Sequence, residues 1–95
     1  MVTLNNNRRR DRLEVIYDFL KVVETHQGSI KKTPLLRKAN LSSRSFIEYF
    51  NELISKEFIR EIVNKNNKFI VLTDKGYNYL NKYSQFYGFL KDFGL

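Results

Sequence analysis

Between Thr33 and Lys56 the chain sets two amphipathic runs so close together that few arrangements accept both. The first run is short, with Leu35, Leu36 and Ala39 as its apolar residues. The second carries Phe46, Phe50, Leu53 and Ile54 at helical spacing. Only Asn40-Leu41-Ser42 lies between them. Asparagine tolerates the left-handed conformation that stops a helix. Ser42 is the best N-cap for the next helix, and Leu41 and Phe46 are spaced as a hydrophobic staple around that cap. The expectation is a short helix, a tight turn and a longer helix running to about Lys56, both burying one face in a shared core.

The flanking segments complete the core. Residues 1–7 read as a polar, disordered tail, and residues 8 to about 26 as a first helix. Leu13, Ile16, Tyr17, Leu20 and Val23 form a buried stripe, and Val15, Phe19 and Val22 a second one beside it. That apolar face is wider than one packing contact needs. Gln27-Gly28 ends the helix, and Gly28-Ser29-Ile30 fits a very short strand. Thr33 is expected to cap the second helix, with Pro34 in its first position. Residues 58–63 and 68–72 are rich in β-branched and aromatic side chains and read as two strands. The polar turn Asn64-Lys65-Asn66-Asn67 joins them into a hairpin. Thr73 caps a fourth helix, about 74–93, with Asp74 at its N-terminal dipole and Leu72 placed to staple onto Tyr77. Most of that helix's large apolar and aromatic residues fall within about half a helical wheel. Gly88 is expected to end or bend it.

Ninety-five residues suit one domain. The net charge is +7 and the pI near 9.8, which favours polyanionic partners, nucleic acid first and anionic membrane second. There are no cysteines, so disulfides, thiol catalysis and cysteine-ligated zinc are excluded. The start MVTLNNNRRR has charges but no apolar stretch after them, and no window is long enough for a membrane span. A cytoplasmic, nucleoid-associated protein is expected. The charge is uneven. From Lys31 to Ser45 stand Lys31, Lys32, Arg37, Lys38 and Arg44 with no acid, whereas 46–63 holds Glu48, Glu52, Glu57 and Glu61 against Lys56 and Arg60.

Helix, short strand, helix, tight turn, helix, two-stranded hairpin, helix is the order of a winged helix-turn-helix: mainly α with a small β-hairpin, plus an extra C-terminal helix. In that motif the N-terminal part of the second helix of the pair enters the DNA major groove. Ala39-Asn40-Leu41-Ser42 at the turn, Tyr49 and Leu53 further down the helix, and Leu72-Thr73-Asp74-Lys75-Gly76 opening the last helix extend the likeness. On these residues the chain resembles the archaeal winged-helix family of small predicted transcriptional regulators, which includes the ten-kilodalton Sulfolobus DNA-binding proteins. The resemblance spans roughly residues 8–90. It implies DNA binding and a dimer formed through the last helix as a coiled coil. Here that helix is shorter and more aromatic than charged coiled-coil arms. The expected division is a DNA-binding unit at 8–73 and a dimerisation helix at 74–95.

The candidate DNA-binding residues follow. On the second helix of the pair they are Ser42, Ser43, Arg44, Ile47, Glu48 and Asn51. Arg44 is suited to the two acceptors of guanine, and Glu48 to the amine of cytosine. Lys31, Lys32, Thr33 and Arg37 lie where the first helix of such a pair crosses the phosphates. Lys65, Asn66, Asn67 and Lys68 form a wing tip, or simply a hairpin turn. Arg8, Arg9, Arg10 and Arg12 fit a DNA arm or a solubilising end. The expected dimer interface is Val15, Phe19, Val22, Leu80, Tyr83, Phe86, Tyr87, Phe89, Leu90 and Phe93, with Leu80, Tyr83, Tyr87 and Leu90 at a/d spacing. No catalytic residue, metal ligand or cofactor site is expected. His26 reads as a helix-end residue, and Glu14 and Asp18 as ion-pair partners of nearby arginines. The partners are double-stranded DNA and a second copy. Two alternatives stay open: a weakly specific chromatin protein, and a winged-helix protein–protein adaptor. The acid-free basic segment 31–45 argues against the adaptor.

Overall fold

The computed structural model of the protein describes residues 11–95. The expected tail 1–7 and Arg8, Arg9 and Arg10 lie outside the described residues. The elements run α1 (Arg12–Thr25), β1 (Ser29–Ile30), α2 (Lys32–Ala39), α3 (Ser43–Ser55), β2 (Ile59–Asn64), β3 (Asn67–Leu72) and α4 (Asp74–Asp92). The strands form one antiparallel sheet in the order β1-β3-β2. Ile30 pairs with Ile70, and Ile59 with Leu72. These four are buried on the sheet face that meets the helices.

Helix α1 starts at Arg12, later than the expected residue 8. Asp11 is extended and its carboxylate accepts a 2.9 Å hydrogen bond from the Glu14 N–H, which fixes the first turn. The buried stripe of α1 straddles both stripes read from the sequence: Val15, Ile16, Phe19, Leu20 and Val23 face inward, whereas Leu13 is exposed. Phe19 is fully buried and stacks on Phe46 of α3 at 5.2 Å, and Phe46 in turn on Phe50 at 5.8 Å. Val15 and Phe19, expected at an interface between chains, are therefore core residues of the single chain. Val22 packs against the same core. Leu80, also expected at the interface, is 3% exposed and belongs to that core too. The first half of α4 thus packs with the rest of the molecule.

Thr33 does not cap α2. The helix begins at Lys32 with Lys31 in the cap position and no side-chain cap bond. Lys31 is the single residue between β1 and α2, so the chain turns at once, closed by the bond from Leu35 N–H to Lys31 O at 3.2 Å. Pro34 still sits in the first turn, where its missing N–H has no partner to lose. Asn40 stops α2 at φ 59° and ψ 47°, and Ser42 caps α3 by accepting from the Ser45 N–H at 3.1 Å. The hairpin is longer than expected. Asn64 pairs with Asn67, and the turn is only Lys65-Asn66, both at positive φ, as a two-residue hairpin turn that follows the strand twist requires.

Helices α1, α3 and α4 end alike. In α1 the Gly28 N–H reaches Val23 O and the Gln27 N–H reaches Glu24 O. Phe58 with Leu53 and Glu57 with Ile54 repeat the pattern after α3, as do Leu95 with Leu90 and Gly94 with Lys91 after α4. The left-handed position is Gln27 in α1 and Glu57 in α3, at φ 62° and 65°. Helix α4 runs through Gly88 without ending, since its other residues sustain the ladder.

Helix α4 is fastened to α3 and to α1. Thr73 accepts from the Gly76 N–H at 3.1 Å, and its hydroxyl donates to the Glu57 and Phe58 carbonyls at 2.6 and 3.0 Å. Lys75 Nζ donates to Lys56 O at 2.7 Å and lies 4.9 Å from the Phe58 ring centre. Gly76 is required by proximity, because a Cβ there would stand 2.4 Å from Phe58 O and 2.6 Å from a Leu72 methyl. Gly76→Ala is therefore expected to cost about 1–3 kcal/mol of stability. A denaturation midpoint equal to that of the parent would contradict this packing.

Tyr79 fastens the other side. Its hydroxyl donates to Leu13 O at 2.7 Å. Burial first, then the neighbouring Tyr83, push its phenol up to about 12. The unfolded chain releases this proton near pH 10, so it binds fewer protons than the native state between about pH 10 and 12. Stability must then fall as pH rises through that window. Tyr79→Phe is expected to be less stable at neutral pH by about 1 kcal/mol, and to lose less stability between pH 10 and 12 than the parent. Parallel alkaline melting curves for the two proteins would refute this role.

Candidate nucleic-acid interface

Helix α3 buries Phe46, Phe50 and Leu53. What the same periodicity turns outward is Ser43, Arg44, Ile47, Glu48 and Asn51, all exposed. Arg44, Ile47, Glu48 and Asn51 follow i, i+3, i+4, i+7 and form one stripe. The stripe begins in the first turn of α3, where the unpaired N–H groups give the helix end partial positive charge. The Ser42 hydroxyl is engaged in the cap, so its role is first of all to start this helix.

Two of the bases of 31–45, Lys31 and Lys32, reach the neighbourhood of that stripe through aromatic rings. Lys32 Nζ lies 4.4 Å from the ring centre of Phe50 on α3, and Lys31 Nζ lies 5.8 Å from that of Phe69 on β3. Both are cation–π distances. They set the N-terminus of α2 beside α3 and the hairpin, while Lys31 and Lys32 remain exposed to solvent. Thr33 is exposed in the first turn of α2, and Arg37 and Lys38 are exposed in its last turn. Lys38, although part of the acid-free run, faces α1, where it lines a shallow groove with Asp18, Lys21 and Thr25. The aromatic partners of Lys31 and Lys32 had no signal in the sequence, because they come from distant parts of the chain.

Lys65 and Asn66 form the hairpin tip, and Asn67 and Lys68 open β3; all four are exposed. The Asn67 amide donates to Lys65 O at 3.4 Å, a weak bond within the tip. Among the acids near α3, Glu52 is drawn away from the stripe. It pairs with Arg12 of α1 and with Lys56 at 2.9 Å. Arg12 is thereby an intramolecular partner. Glu48 is the acid left on the exposed stripe.

A different surface lies between the start of α1 and the outer half of α4. A groove of about 640 Å³ is lined by Asp11, Leu13, Glu14, Tyr17 and Asp18 on one side and by Tyr83, Phe86, Tyr87 and Leu90 on the other. Tyr83 stacks on Tyr17 at 4.5 Å. Burial, and then the carboxylates of Glu14, Asp11 and Asp18, push its phenol up. Beyond it Phe86, Tyr87, Phe89 and Phe93 are each more than half exposed. Of the ten residues expected at a dimer interface, Tyr83, Phe86, Tyr87, Phe89 and Leu90 share this outer half of α4 and Phe93 follows at its end, whereas Val15, Phe19, Val22 and Leu80 belong to the core or pack against it.

Comparison with known proteins agrees with this architecture. The Winged helix-turn-helix family matches residues 9–91. The uncharacterised protein MJ0287 of Methanocaldococcus jannaschii is 38% identical over 74 residues, 76% of this chain and 70% of that protein. MJ0290 of the same organism is 35% identical over 74 residues, 78% of this chain but only 32% of its own length. Among solved structures, Sso10a-2, described as a DNA-binding protein from Sulfolobus solfataricus, superposes with a TM-score of 0.72 at 17% identity, over 88% of this chain and 85% of that one. F93 from STIV, described as a winged-helix DNA-binding protein, gives 0.71 at 21% identity, over 83% and 91%. The resemblance read from the turn and from the opening of the last helix thus holds, and the chain belongs to the winged helix-turn-helix family.

Proposed function

We propose that the protein binds double-stranded DNA sequence-specifically as a homodimeric transcriptional regulator, cytoplasmic and associated with the nucleoid, with α3 in the major groove. The observation that carries this reading is the exposed stripe of α3 from Arg44 to Asn51, which begins in the acid-free basic segment 31–45. The shared fold of Sso10a-2 and F93, both described as DNA-binding, supports it. Arg44 reaches a guanine with two hydrogen bonds, Asn51 suits an adenine, and Glu48 accepts from a cytosine amine. Lys31, Lys32 and Arg37 contact phosphates, as does the Lys65-Asn66 wing tip.

Self-association follows from α4. Its outer half carries a row of exposed aromatics beside the groove, and a surface of that kind marks an interface. A two-fold dimer presents two copies of α3 to two half-sites, which calls for a roughly palindromic site.

Phosphate contact makes affinity fall with salt, by about 0.9 counterions per neutralised phosphate. Replacing Lys31, Lys32 and Arg37 together with glutamine is expected to flatten the salt slope by up to about 2.7. An unchanged slope in a gel-shift series would remove these residues from the phosphates. Arg44→Ala is expected to cost about 1–3 kcal/mol on the preferred duplex and much less on random DNA; equal losses would make Arg44 a backbone contact. Sedimentation at micromolar concentration is expected to give a dimer, and a monomer of 11.4 kDa would end both the dimer and the palindromic site.

A further inference from the structure

Ile47 is the one apolar side chain on the exposed side of α3. It is 52% exposed and lies outside the hydrophobic core. Its neighbours on the stripe are Arg44 one turn before, Glu48 beside it and Asn51 one turn after, all exposed and polar. The core therefore does not explain an isoleucine here. A β-branched side chain is also a poorer choice than leucine, lysine or glutamate for a solvated helix position.

We infer that Ile47 is a specificity residue that reads the 5-methyl group of a thymine. The inference rests on the proposed entry of α3 into the major groove. On the base edges of that groove, the other groups are hydrogen-bond donors and acceptors, and the C5-methyl of thymine is the apolar one. Isoleucine has no hydrogen-bonding group, so it gains nothing from the donors and acceptors and gains contact area from the methyl. Its stiff χ1 keeps the side chain in place without further support. From Arg44 to Ile47 the helix advances about 4.5 Å, slightly more than the base-pair rise of about 3.4 Å. The thymine therefore lies within one or two base-pair steps of the guanine taken by Arg44.

The test begins with enrichment of a preferred duplex from a random pool by the intact protein. Each thymine of that duplex is then replaced in turn by deoxyuridine, which removes the methyl and leaves every hydrogen-bonding group. At one position per half-site the parent is expected to lose affinity about four-fold, the worth of one buried methylene-sized group at about 0.8 kcal/mol. Ile47→Ala, folded as judged by circular dichroism, is expected to bind thymine and uracil there equally. Ile47→Val is expected to keep the preference. Indifference of the parent to uracil at every position, or a uracil penalty that survives Ile47→Ala, would overturn the inference. If binding remains sensitive to Arg44→Ala in those cases, the reading of α3 as the groove helix stands without it. A pool that enriches no sequence would overturn both.

Discussion

The contact between the start of α4 and the end of α3 sets the rest of the structure. Thr73 caps α4 and at the same time donates to the carbonyls of Glu57 and Phe58, which α3 leaves behind as it ends. Lys75 adds a cation to the last carbonyls of α3, where the helix dipole favours positive charge. None of this is possible unless the two backbones approach closely, and Gly76 supplies that approach. Since β2 begins at Ile59 and β3 ends at Leu72, this one junction also holds both strands of the wing at their base. The orientation of α3 relative to the hairpin follows from it, and so does the shape of the surface formed by α3, α2 and the wing. The Thr73-Asp74-Lys75-Gly76 run thus has a structural reason in every member that touches α3, and needs no contact with a ligand to account for it.

Charge is sorted by the same framework. Lys31, Lys32 and Arg44 lie on or beside the face of α3, while three carboxylates, Asp11, Glu14 and Asp18, line the groove between α1 and α4. The acid that helical spacing would bring nearest to the lower part of α3, Glu52, is neutralised by Arg12 and Lys56. The aromatic outer half of α4, next to the carboxylates, is the surface on which the proposed dimer would form. DNA and a second copy would then use different residues, which allows both to be bound at once.

Much of this was legible in the sequence, for local reasons. Asn40 and Ser42 announce the turn because each solves a backbone problem within three residues of itself, and Thr73 does the same for α4. The α3 stripe followed from period alone. What was not legible depended on distant partners. Two apolar stripes on α1 are equally good by spacing; Phe19 turns inward onto Phe46 of α3, while Leu13 ends up on the open groove between α1 and α4. Leu80 fits an a/d seam as well as it fits a core, and the difference lies in whether the first half of α4 is covered by α1. Thr33 is a good cap by type, but β1 ends so close to it that the helix has already begun. The hairpin was extended by one pair at its tip because Lys65 and Asn66 both take left-handed angles, which asparagine announces and lysine does not.

The central claim is that the face built from α2, α3 and the wing tip is the one that meets DNA. Amide chemical shifts followed during titration of the intact protein with a short duplex test it most directly, since they locate contact residue by residue without any substitution. The account predicts that the largest changes fall on Lys31 and Lys32, on Ser43 to Asn51 and on Lys65 to Lys68, with small changes at Asp11 to Asp18 and on α4 beyond Tyr83. Changes concentrated on the groove between α1 and α4, with the α3 stripe unmoved, would contradict it.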